Sequence, residues 1–121
     1  MKAVLLVGHG SKMKGFQDAM EKIAQRLAVD LNPVAVRLAF LEIAAPSIPD
    51  AIDSLAARGF TEVKILPYFV QAGKHVQVDL PEIAAWAAEK YRGRVRVTLC
   101  PYLGFHDKIV EVVKERIAEG E

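Results

Sequence analysis

"VLLVGHGSK", residues 4–12, sets four apolar residues directly against Gly8-His9-Gly10-Ser11. A strand covered on both faces reads as an unbroken apolar run, whereas a strand with one wet face alternates. Residues 2–7 therefore read as an interior strand of a parallel sheet. Glycine permits tight turns and close backbone approach, so His9 is expected on a sharply bent, exposed loop at the end of that strand.

The rest of the chain repeats the same theme. Phe16, Ala19, Met20, Ile23 and Leu27 recur at helical spacing and predict a first helix over about residues 14–31, stopped by Asn32-Pro33. Residues 34–40 form the second strand, and Ser47-Ile48-Pro49-Asp50 opens a second helix that Gly59 ends. A third strand covers residues 62–66. Proline cannot donate to a sheet ladder, so the strand is expected to stop before Pro67.

Asp79-Leu80-Pro81-Glu82 reads as the cap and first turn of a third helix facing inward through Ile83, Ala84, Ala87 and Tyr91. Whether residues 75–78 are already helical is open. A fourth strand spans residues 94–99, and Ile109, Val112, Val113 and Ile117 mark a last helix. The alternation βαβαβαβα predicts an α/β fold: a four-stranded parallel sheet with helices on both faces. Right-handed crossovers and a flavodoxin-like order 2-1-3-4 put strands one and three side by side.

Composition excludes several classes. The 121 residues are expected to form a single domain, with 52% hydrophobic and 26% charged residues, as in an ordinary globular protein. Sixteen basic and 15 acidic residues, a net charge of +1, supply neither the surplus nor the run of a nucleic-acid binder. Cys100 stands alone, so no intrachain disulfide forms, and the N-terminal apolar stretch is too short to cross a bilayer. A cytoplasmic location without membrane contact is the expectation. Neither a G-x-x-x-x-G-K-[ST] phosphate loop nor a G-x-G-x-x-G fingerprint occurs.

Ligands of open parallel sheets bind beyond the C-terminal strand ends, near the reversal of strand order. The loops there carry His9 and, in Gly73-Lys74-His75, a second histidine; Phe40-Leu41-Glu42 brings a carboxylate to the same rim. Two neutral imidazoles and a carboxylate can hold a divalent transition metal with positions left open, and can equally accept protons near neutral pH. Each histidine alone reads more readily as a solvated loop residue; the pairing across adjacent strand exits is what favours a site. Glu42 reads either as a member of it or as an acid that orders the next turn. His106, at the start of the last helix, reads as an ordinary polar residue. Burial accounts for Cys100, and partial burial for Trp86 and Tyr91.

Val7-Gly8-His9-Gly10-Ser11, Phe40-Leu41-Glu42 with Pro46, and Leu66-Pro67-Tyr68-Phe69-Val70-Gln71-Ala72-Gly73-Lys74-His75 leading to Asp79-Leu80-Pro81 together resemble the short CbiX-type sirohydrochlorin chelatases, over essentially the whole chain. The resemblance implies metal insertion into a tetrapyrrole, with Co²⁺ expected and Ni²⁺ or Fe²⁺ possible, and no organic cofactor. By position it implies His9 and His75 as metal ligands and Glu42 as the acid of the site. Longer relatives carry two such units, so it also implies a homodimer. Gly10, Ser11, Lys12, Lys14 and Lys74 are candidates for holding the carboxylates and flat ring of sirohydrochlorin. A non-catalytic carrier of metal or tetrapyrrole, or a flavodoxin-like interaction domain with incidental histidines, is the competing expectation.

Overall fold

In the computed structural model, which describes residues 1–120, four strands alternate with four helices. The strands are β1 (Lys2–Gly8), β2 (Ala35–Phe40), β3 (Glu62–Pro67) and β4 (Arg96–Leu99). The helices are α1 (Asp18–Asp30), α2 (Ile48–Ala57), α3 (Leu80–Lys90) and α4 (Asp107–Glu119), with a single π turn over His75–Asp79 running straight into α3. All strand pairs are parallel, as the alternation predicts, and the order is β2-β1-β3-β4, the flavodoxin-like order expected.

The two-residue period of β1 divides the core. Ala3, Leu5 and Val7 turn to the face covered by α2 and α3, where Ile48, Ile52, Leu55, Val63, Ile65, Leu80 and Ala87 join them. Leu6 turns the other way, against Met20 of α1 and Phe40. Leu5, Ile52 and Ile65 are fully buried, each contributing about 1.5–3 kcal/mol of apolar transfer. Residues 2–8 thus sit between β2 and β3 with both faces covered, which is why they tolerate so few polar side chains.

Some boundaries differ from expectation. Pro67 is the last residue of β3 rather than the residue after it. Its ring nitrogen faces the same side as Ile65, whose carbonyl accepts from the Cys100 N–H, and β4 has already ended at Leu99. No ladder donor is needed there, so proline is tolerated. The first helix begins at Asp18, because residues 13–17 are spent on turns closed by Phe16 N–H to Met13 and Asp18 N–H to Gly15; Ala19 is exposed rather than inward. The fourth strand begins at Arg96, since the backbone N–H groups of Arg94 and Val95 bond back to Tyr91.

Ser47 caps α2 as expected, its Oγ accepting the Asp50 N–H at 3.2 Å. The last helix forms where the periodicity puts it, but none of its residues enters either core cluster. Val112, Val113 and Ile117 are about half exposed or more. Helices α2 and α3 are tied by Asp53, whose carboxylate accepts from the Tyr91 hydroxyl and from Lys90 Nζ at 3.0 Å. These bonds, Tyr91 first, hold the Asp53 carboxyl below its usual range, and the same carboxylate raises Lys90 and Tyr91 above theirs.

Candidate metal site

The pairing of β1 with β2 continues past the strands into their loops. The Leu41 N–H donates to the Gly8 carbonyl at 3.0 Å and the Glu42 N–H to the His9 carbonyl at 3.1 Å. His9 and Glu42 are thereby set side by side, and His9 Nε2 lies 2.9 Å from Glu42 Oε1. The two glycines around His9 have separate reasons. A Cβ on Gly8 would stand 2.7 Å from Met20 Sδ; one on Gly10, at φ +106°, would stand 1.8 Å from the Glu42 carbonyl oxygen. Gly10 therefore serves the loop junction itself, rather than only leaving space for a ligand.

His75 arrives from the other neighbour of β1. The Gly73 carbonyl accepts from the Val76 and Gln77 N–H groups and starts the π turn, so His75 stands at the top of α3 facing the β1 loop. The His9 and His75 rings meet edge to face, with centroids 4.8 Å apart at 65°. One donor atom from each of His9, Glu42 and His75 lies within 4.8 Å of the others. Donors sharing one ion at about 2.0–2.2 Å stand roughly 3–4 Å apart, so small side-chain adjustments bring these three onto a common ion. Three protein donors leave the remaining positions open to water or to an incoming ligand.

Asp79 was expected to cap the third helix. Instead it lies inside the helical run at φ −65°, ψ −46°, and makes no capping bond. Its carboxylate meets His75 Nδ1 at 2.7 Å, leaving Nε2 as the nitrogen that can face an ion. The two residues stand four apart, at the first and last positions of the π turn. The His-x-x-x-Asp spacing was readable in the sequence, but Leu80-Pro81 made a cap the more obvious role. A cavity of about 270 Å³ opens beside His75, lined by Leu41, Glu42, Asp79, Glu82 and Ile83.

The remaining expected residues divide. Lys12 and Lys14 on the β1 loop and Lys74 beside His75 are exposed, and none takes part in an ion pair among the described residues. Ser11 Oγ accepts the Met13 N–H at 3.0 Å, so part of its capacity serves the turn. His106 caps α4 through Nδ1, which accepts the Lys108 N–H at 3.0 Å, and it stands apart from the metal-site cluster. Cys100 follows β4, partly buried and outside that cluster. Among the described residues no helix is long and apolar enough to cross a membrane.

The model of the CbiX family matches residues 3–120. A sirohydrochlorin cobaltochelatase of Sulfurisphaera tokodaii is 34% identical over 119 positions, covering 98% of this chain and 93% of the relative. Its counterpart in Saccharolobus solfataricus is 32% identical over 124 positions, covering 98% and 95%. Among solved structures, the sirohydrochlorin chelatase SirB of Bacillus subtilis subspecies spizizenii, in complex with cobalt, superposes with a TM-score of 0.86 at 26% identity over 99% of this chain. This chain spans about half of that SirB chain, 51%. A putative cobalamin biosynthesis CbiX protein of Marinobacter aquaeolei shares the fold, with a TM-score of 0.79 at 21% identity and 96% of its length covered. The chain belongs to the CbiX family.

Proposed function

We propose that this chain is a sirohydrochlorin chelatase that inserts a divalent metal, Co²⁺ first among the candidates, with His9, His75 and Glu42 delivering the ion. The observation that carries this reading is the convergence of those three donors on the rim between β1, β2 and β3. The names of the relatives agree on the substrate, and cobalt recurs in them.

The chemistry asks for a weak, open site. The ion enters hydrated, exchanges waters for the three protein donors, and must then leave them for four ring nitrogens. A closed tetrahedral cage would keep it. As two metal–nitrogen bonds form in place of two pyrrolic N–H bonds, two protons are released. Glu42 and the histidines, freed from the metal as it transfers, are the acceptors at hand. Lys12 and Lys14 on the loop of His9 and Lys74 next to His75 are exposed and suit the carboxylates of the substrate.

A homodimer completes the proposal. Val112, Val113 and Ile117 on the apolar side of α4 are exposed and, among the described residues, lie outside both core clusters. This chain matches half of a longer SirB chain, so a second copy is the occupant that reproduces the longer length. Sedimentation at micromolar protein is expected to show a dimer.

The activity is tested by following the absorbance of sirohydrochlorin with the protein and each of Co²⁺, Ni²⁺ and Fe²⁺. Multiple turnovers above the uncatalysed rate are expected, fastest with Co²⁺. Binding without turnover would make the chain a carrier instead.

A further inference from the structure

Next to Glu42 the backbone does something costly. The Ala44 N–H donates to the Glu42 carbonyl at 2.7 Å, closing a three-residue turn around Ile43 at φ +70°. This is the rare form of γ-turn, and positive φ is unfavourable for a β-branched residue. Ile43 is the only non-glycine residue with positive φ among those described. Its side chain does not repay the strain by packing, for it is 59% exposed. Asparagine or glycine would relieve the strain and remove an exposed apolar surface at once.

Ile43 is not isolated. Every loop leaving the C-terminal end of a strand exposes one large apolar side chain: Met13 after β1 (74%), Ile43 after β2, Val70 after β3 (55%) and Phe105 after β4 (84%). Lys12, Lys14 and Lys74 stand on the same loops. A rim with apolar side chains among unpaired cations suits a ligand that is flat and apolar on its faces and anionic at its edge.

We propose that Ile43, in a row with Met13, Val70 and Phe105 on the strand-exit loops of the order β2-β1-β3-β4, forms the apolar rest for one face of the tetrapyrrole, and that the strained turn is retained for this contact. The inference rests on the chelatase reading and adds the residues that hold the ring. Strain of this kind concentrates where a ligand is clamped.

The test is Ile43→Asn and Ile43→Gly, with Val29→Asn on the exposed side of α1 as control. Both Ile43 variants are expected to melt at or above the parent temperature, yet to bind sirohydrochlorin about tenfold more weakly in a fluorescence titration. Val29→Asn should bind like the parent. Sedimentation accompanies each titration. Parental affinity in both Ile43 variants, a lowered melting temperature, or a loss of dimer that accounts for the weaker binding would each overturn the inference. Failure of the parent itself to bind sirohydrochlorin would instead overturn the chelatase reading, so the two failures are distinguishable.

Discussion

A Cβ at position 10 would stand 1.8 Å from the carbonyl oxygen of Glu42, so the loop that carries His9 and the loop that carries Glu42 fit together only through a glycine. With φ at +106° the backbone of Gly10 also lies where other residues are strained. Gly10→Ala must push the two loops apart, and with them His9 and Glu42. A destabilisation of at least about 2 kcal/mol is expected, together with weaker Co²⁺ binding. Urea unfolding and a Co²⁺ titration check both effects; an unchanged variant would mean the loops adjust freely.

Asp79 tests the positioning of His75. Because its carboxylate holds Nδ1 at 2.7 Å, Asp79→Ala frees the ring to turn and to change tautomer. Co²⁺ affinity is expected to fall about 10- to 100-fold with no loss of helix content, since alanine is a good helix former and the side chain is partly exposed. Nitrogen NMR of His75 reads the tautomer directly, and an unaltered spectrum with parental affinity would refute the role.

His9→Ala removes a donor from an exposed loop and His75→Ala one from the partly buried π turn ahead of α3, and neither residue belongs to a core cluster. Both proteins should fold, bind sirohydrochlorin and insert metal at a small fraction of the parent rate. His106→Ala should leave insertion alone but cost about 1 kcal/mol, because it deletes the cap of α4. Lys74→Ala should raise KM with kcat nearly unchanged. Parental insertion by both histidine variants would remove them from the mechanism.

The Asp53 tie makes stability depend on pH at both ends. The folded carboxyl is depressed, Tyr91 being the first cause and Lys90 the second, so its contribution is present above the usual value of 3.8. It is lost as pH falls through the lower, folded value. Lys90 and Tyr91 are raised, so theirs is complete below about pH 10 and lost as pH climbs through their folded values. Asp53→Asn should flatten both limbs. Melting temperatures from pH 2 to 11 test this; parallel curves for parent and variant would contradict it.

The sequence by itself determined the layers, the parallel sheet and the placing of two histidines on loops of one rim, while Glu42 stayed open between a site role and a turn role. Those follow from local periodicity and from the handedness of parallel crossovers, which need only short-range pattern and connection order. The apolar run at residues 4–7 and the helical spacing of Ile48, Ala51, Ile52 and Leu55 are such patterns. Tertiary structure decided what depends on contacts between distant segments. Pro67 ends a strand because its neighbour has already stopped, and Gly10 is required by a carbonyl 32 residues further along the chain. Asp79 is no cap because the π turn runs unbroken into α3 through it, which leaves its carboxylate for His75, and Ile43 takes a strained turn in a loop zipped to that of β1 by backbone bonds. Helix α4 has the pattern of a packed helix, but its apolar side lies outside both core clusters: periodicity says that a face is apolar, while only the assembled chain decides whether anything covers it.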